Sequence, residues 1–239
     1  MSTATNSRLA EPLTELQLTW MLHNHEDELA EAARRNRTAE ELLLRLTRGE
    51  LDARHERAVN RRLKEARIKG VRTLEDFDQV RHLFTLSFMK QAANVVFIGG
   101  VGLGKTHLAA ALARRACLQR LPVLFTSAVD IVNTLTEARE HNNLPAAIRK
   151  YARPKLMVVD ELGYIPLDKV GAELLFQVFC ERYESTSTII TTNRVYRDWT
   201  KTFANDATIT SAVLDRITHH CETVTIEGKS YRMKDRIDN

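Results

Sequence analysis

Val95-Val96-Phe97-Ile98-Gly99-Gly100-Val101-Gly102-Leu103-Gly104-Lys105-Thr106-His107-Leu108-Ala109-Ala110-Ala111-Leu112 passes without a break from a β-branched apolar run, through a glycine-rich loop, into an alanine- and leucine-rich helical stretch. Gly99 to Thr106 fits G-x-x-x-x-G-K-[ST], and strand, loop and helix stand in the order that motif requires. Its composition has a mechanical reason. Glycines let successive backbone N–H groups turn inward around phosphate oxygens, and the N-terminus of the following helix adds partial positive charge. The loop run Gly99, Gly100, Val101, Gly102, Leu103, Gly104, Lys105, Thr106 and His107 is therefore the expected ATP-binding segment. Lys105 is expected to reach the β- and γ-phosphates and the Thr106 hydroxyl to ligate Mg²⁺. His107 is read as a packing or water-bonded side chain.

Moving downstream, Leu156-Met157-Val158-Val159-Asp160-Glu161 is an apolar strand ending in two carboxylates. In an open parallel sheet, ligands bind beyond the carboxyl ends of the strands. Asp160 is expected in the Mg²⁺ shell and Glu161 as the general base that polarises the attacking water. A third apolar strand, Ile189-Ile190-Thr191-Thr192-Asn193, ends in polar residues, and Asn193 is expected to hydrogen-bond the water or the γ-phosphate.

The remaining texture supports a doubly covered sheet. Residues 95–98, 123–126, 156–160, 188–192 and 223–226 read as strands; 104–119, 128–139, 168–184 and 208–220 read as helices. Alternation of the two predicts an α/β domain with a parallel sheet flanked by helices. Upstream, from about Leu13 to Lys69, the pattern is helical, and Thr38 with Glu41 has capping-box spacing. Gly70 to Asp78 breaks the period. The expected organisation is a small all-helical N-terminal domain over 1–75, serving DNA or partner binding and self-association, then an ATPase domain over 76–239.

These elements resemble the AAA+ ATPases of the bacterial helicase-loader and initiator clade, and more closely the IstB-like helpers of IS21-type transposons. The resemblance is carried by TLEDFD at 73–78, GLGKTHLA at the phosphate loop, DELGYIPLD at 160–168, GAELLFQV, STIITTNR at 187–194, VLDRI at 213–217 and GKSYR at 228–232. It spans roughly residues 15–234. Two places depart from the usual pattern: Gly100-Val101 within the phosphate loop, and Tyr196-Arg197-Asp198-Trp199 in place of Pro-Phe-x-x-Trp. The resemblance implies an AAA+ core, ATP hydrolysis, and assembly on target duplex DNA with recruitment of the transposase of the same element. It also implies that Arg216 is an arginine finger completing the site of an adjacent subunit, which requires a homo-oligomer, and that Arg232 senses nucleotide. From the residues alone Arg216 is only an arginine on an amphipathic helix.

Arg54, Arg57, Arg61 and Lys64 recur at helical spacing and form a candidate DNA-backbone face, with a solvated face as the plain alternative. Arg149 and Lys150, with Arg153, form a second basic cluster. The excess of 35 Lys+Arg over 31 Asp+Glu, a net charge of +4, permits polyanion binding without demanding it. A DnaC-type loader of a replicative helicase is the alternative function. A small-molecule kinase is a third, disfavoured because Glu161 beside Asp160 suits water activation rather than transfer to an acceptor.

Cys117, Cys180 and Cys221 are odd in number, widely spaced and in no CxxC pair, which argues against a disulfide framework and against a zinc site and fits a reducing cytoplasm. Adjacent His219 and His220, if helical, would point about 100° apart and so are expected to be structural. The first residues carry no signal-peptide pattern and no apolar run approaches the roughly 18 residues that span a bilayer, so neither export nor a membrane partner is expected.

Overall fold

The computed structural model describes residues 9–65 and 78–227. The chain forms two compact units, Met1–Arg61 and Arg62–Asn239. The connector expected near residue 75 lies outside the described residues.

The first unit is helical: α1 (Ala10–Glu15), α2 (Thr19–Arg34) and α3 (Ala39–Glu65). The capping box predicted at Thr38 forms, with the Glu41 N–H donating to Thr38 Oγ1 (3.2 Å) and the Thr38 N–H to Glu41 Oε2 (2.8 Å). Helix α2 has no side-chain cap of its own at Leu18. Its cap comes from α3: Glu50, almost wholly buried, accepts the N–H groups of Trp20 (2.7 Å) and Met21 (3.1 Å). Beside it, a Cβ on Gly49 would stand 2.3 Å from the Trp20 ring, so only glycine lets the indole lie against the α3 backbone there. Arg45 forks onto Glu28 (2.7 and 2.9 Å) and ties the two helices again.

The second unit is built on a five-stranded parallel sheet: β1 (Asn94–Gly99), β2 (Val123–Ser127), β3 (Leu156–Leu162), β4 (Ser187–Thr192) and β5 (Cys221–Ile226), in the order β2-β3-β4-β1-β5. The strands alternate their side chains between two covered faces, as a parallel sheet demands. Val95, Phe97, Leu156, Val158 and Ile189 face one layer, with Leu108 and Leu112 of α4 (Lys105–Leu118) and with Leu83, Phe84 and Phe88 from two 3₁₀ stretches, Asp78–Thr85 and Ser87–Gln91. Val96, Ile98, Met157, Val159 and Ile190 face the other, covered by α5 (Ala128–Glu140), α6 (Leu144–Ala152), α7 (Lys169–Arg182) and α8 (Ala207–Thr218).

Three of these helices start on side-chain caps. Ser127 Oγ accepts from the Asp130 N–H, Asp168 Oδ1 from Gly171, and Asp206 Oδ1 from both Thr208 and Ile209. Helix α6 was not expected. Its nine residues begin with a proline in the first turn, and only its basic outer face was evident in the sequence. The last predicted helix ends at Thr218 rather than 220, and β5 begins at Cys221.

Arg182, 2% exposed, is the most deeply buried charged side chain of this unit among the described residues. Its Nε donates to Thr188 Oγ1, Nη1 to the carbonyls of Tyr151, Ala152 and Pro154, and Nη2 to that of Ser187. Burial pushes its pKa down to about 9, so it stays cationic at neutral pH. One guanidinium thereby joins the C-termini of α6 and α7 to the starts of β3 and β4.

Candidate functional site

β4 lies between β1 and β3. The polar residues ending β4 are therefore placed between the phosphate loop that follows β1 and the acidic pair that ends β3. A single cavity is lined by Val101, Gly102, Lys105 and Thr106 from the loop, Glu161 and Tyr164 from the end of β3, and Thr191, Thr192 and Asn193 from the end of β4. All three motifs read in the sequence meet there.

The loop has the backbone its glycines were expected to permit. Gly102 and Gly104 take φ of 80° and 87°, values that side-chain-bearing residues rarely adopt. Gly104 is the N-cap of α4, leaving the first-turn N–H groups of that helix at the cavity. Lys105 Nζ donates to the carbonyls of Gly99 (2.8 Å) and Gly100 (2.6 Å), holding its ammonium beneath the loop. Gly99 has a second constraint: a Cβ there would stand 2.5 Å from the Ile226 carbonyl oxygen of β5. Val101 is 59% exposed at the rim, and Leu103 packs near Gly100. His107 is half-buried on the first turn of α4 and does not line the cavity.

The two carboxylates differ in a way their adjacency in sequence conceals. Asp160 is buried and held by two hydroxyls: Thr106 Oγ1 donates to its Oδ1 (3.0 Å), and Thr191 donates to the same oxygen in a short contact. Glu161 is exposed and adopts φ of 61°. The β3–β4 register slips between Val159 and Leu162, a bulge of the kind that re-aims a side chain at a strand end. The Glu161 N–H donates to Thr191 Oγ1 (2.9 Å), so one threonine hydroxyl fixes both acidic residues. A non-glycine residue in the left-handed region costs on the order of 1–3 kcal/mol and persists where its surroundings enforce it.

The oxygen donors Thr106 and Asp160 suit a hard cation. A hydroxyl and a carboxylate stand 3.0 Å apart there, a pair that could hold such a cation with water and phosphate oxygens completing its shell. Thr191 was missed in the sequence because its role depends on β4 standing beside β3, which periodicity does not reveal. Tyr164 was missed as well; it is 60% exposed at the rim.

Beyond Asn193 the chain turns over itself. The Arg194 N–H donates to Thr192 Oγ1 (3.1 Å), its Nε to the Gly163 carbonyl (2.6 Å), and its own carbonyl accepts from Trp199 Nε1 (3.2 Å). Trp199, on the 3₁₀ stretch Tyr196–Lys201, is 1% exposed. The segment that departs from the usual pattern thus keeps its tryptophan as an anchor for the loop carrying Asn193.

Arg216 stands outside the cavity. Its Nη1 donates to the Ala212 carbonyl (2.9 Å) and its guanidinium lies 4.8 Å from the Phe176 ring centre. Arg232 lies outside the described residues. Of the first basic group, Arg54 and Arg57 both pair with Glu50 Oε1 (3.1 and 2.9 Å) while remaining half-exposed; Arg61 and Lys64 are exposed on the same helix. Two of its four cations are therefore engaged by the carboxylate that caps α2. Arg149, Lys150 and Arg153 are exposed at the end of α6, with Lys150 Nζ 5.3 Å from the Tyr151 ring centre. Among the described residues no helix is long and apolar enough to cross a membrane.

The chain matches the model of a family described as IstB-like ATP binding protein over residues 11–239. It is 35% identical over 234 residues to the insertion-sequence IS21 ATP-binding protein of Pseudomonas aeruginosa, covering 94% of this chain and 88% of that one. Among solved structures, AMPPCP-bound DnaA from Aquifex aeolicus matches with a TM-score of 0.56 at 20% identity, over 72% of this chain and 55% of that one. The DnaC helicase loader matches with a TM-score of 0.52 at 22% identity, over 70% and 99%. At such identities the structural likeness speaks for the fold.

Proposed function

The chain belongs to the IstB-like ATP-binding protein family and is an AAA+ ATPase, and from that premise we propose that it assembles on target duplex DNA, driven by ATP, and recruits and stimulates the transposase of its insertion sequence. The observation that carries the ATP chemistry is the meeting in one cavity of the phosphate loop, Glu161 and Asn193, with Thr106 joined to Asp160 at its floor.

In this reading the N–H groups of the loop and of the α4 N-terminus cradle the phosphates, and Lys105 leaves the carbonyls of Gly99 and Gly100 to neutralise the β- and γ-oxygens. Thr106 and Asp160 hold Mg²⁺, which supplies charge neutralisation on those oxygens. Glu161, exposed toward the cavity, accepts the proton of the attacking water, and Asn193 orients that water from the neighbouring strand. Arg216, standing outside its own cavity, serves the site of an adjacent subunit, so hydrolysis is coupled to assembly. Arg232 is the nucleotide-sensing arginine of this reading.

DNA is held through its backbone by the exposed cations of α3 and α6: Arg61 and Lys64, with Arg54 and Arg57 where they turn from Glu50, and Arg149 and Lys150. The relatives' insertion-sequence names support the transposition context. The N-terminal helical domain supplies DNA contact and self-association, and the ATPase domain the chemistry, in the cytoplasm.

Sedimentation with a duplex of about sixty base pairs, and with an equal single strand, tests the proposal. Wild type is expected to form a large ATP-dependent complex on duplex, Glu161→Gln to trap it and Lys105→Ala to abolish it. Assembly confined to single strands would instead point to helicase loading.

A further inference from the structure

At the edge of the sheet away from the phosphate loop, two histidines and a glutamate come together. The His220 carbonyl accepts the N–H of Asn94 (2.7 Å), the first residue of β1; the loop follows the last, about 16 Å farther at the usual strand rise. The expectation that His219 and His220 diverge assumed a helix through both. α8 stops at Thr218, His219 is its C-cap, and the two rings lie 4.3 Å apart between centres. Glu184 reaches them from the turn after α7, where it takes φ of 54°, and its Oε1 stands 3.4 Å from His219 Nδ1. The Tyr183 hydroxyl is 2.9 Å from the same nitrogen. One donor atom from each of Glu184, His219 and His220 falls within 4.8 Å of the others, and all three residues are exposed.

We propose that Glu184, His219 and His220 form a surface site for a transition-metal dication of the Zn²⁺ type. Two imidazoles and a carboxylate match the set Zn²⁺ takes in sites with three protein ligands and one water. Mg²⁺ and Ca²⁺ prefer all-oxygen shells, which separates this site from the cavity at Thr106 and Asp160. Donors on one ion at roughly 2.1 Å stand at most about 4.2 Å apart, so closure needs side-chain rotations of about 1 Å, which exposed residues make freely. The carbonyl end of α8 adds favourable negative potential. Bound metal pins the turn after α7 to the α8–β5 junction, independently of nucleotide.

The test uses tag-free full-length protein, stripped with chelator and titrated with Zn²⁺ against a competing indicator dye, without nucleotide. One Zn²⁺ per chain is expected, with a raised melting temperature. Binding is expected to weaken at least tenfold in each of His219→Ala, His220→Ala and Glu184→Gln and to persist in His82→Ala and Asp160→Asn. Circular dichroism reports whether each variant is folded, and ATP binding does so for the variants away from the phosphate cavity. Failure of the wild type to bind Zn²⁺ stoichiometrically at about 10 µM, or undiminished binding in any one of the three ligand variants, would overturn the site.

Discussion

Thr191 shows how much a single hydroxyl decides. It donates to Asp160 and accepts from the Glu161 N–H, so its loss frees the buried carboxylate and the strained strand end together. Thr191→Val, which keeps the shape, is expected to lower kcat for ATP hydrolysis by roughly 10²-fold, the scale of a displaced catalytic group, while Thr191→Ser retains most activity. Equal activity of the two variants in a steady-state phosphate-release assay would contradict this role. Glu50 makes a comparable case in the helical unit. Burial raises its pKa, but the Met21 N–H, Arg57, the Trp20 N–H and Arg54 together outweigh that and hold it below the ordinary 4.5. Because the folded value is the lower one, the stabilisation is fully present above 4.5 and is lost as pH falls through the folded value. Acid titration by circular dichroism should show helix loss in that window for wild type and a flatter profile for Glu50→Gln.

Elements were legible where their signals are local. The five strands and α4, α5, α7 and α8 stand where alternation and apolar spacing predicted them, and the box at Thr38 and Glu41 forms as read. The 3₁₀ stretches before β1 and helix α6 were not legible, since 3₁₀ runs lack the 3.6-residue period and α6 is short. The phosphate loop, the acidic pair and Asn193 could be found from sequence because each sits at a strand end next to its own motif. Thr191 and the pairing of Glu184 with two histidines depend on which strands and turns are neighbours, so no local pattern announces them. Helix α2 has the same character, starting on a residue that cannot cap while its cap lies on α3. Glu50→Ala is expected to cost about 1–3 kcal/mol, the penalty for unsatisfied N–H groups, measured as a lower denaturation midpoint of the helical unit. Gly49→Ala should also destabilise it by displacing the Trp20 ring.

On the scale of the whole molecule, the sheet order β2-β3-β4-β1-β5 brings chemistry written in three separate segments to one rim. The opposite rim is held by Arg182, whose hydrogen bonds reach Tyr151, Ala152, Pro154, Thr188 and Ser187. Its removal leaves buried carbonyls unpaired, so Arg182→Ala is expected to destabilise by about 1–3 kcal/mol for each one left unsatisfied and to loosen α6, the carrier of Arg149 and Lys150, as read by chemical denaturation of the ATPase unit. The proposed hydrolysis depends most directly on Glu161 acting as the base, with ATP binding independent of it. The deciding measurement is γ-phosphate release by Glu161→Gln under ATP concentrations at which binding is saturated. Near-wild-type ATP affinity with hydrolysis slowed by about 10²–10⁴-fold is the predicted result, and hydrolysis at the wild-type rate would contradict it.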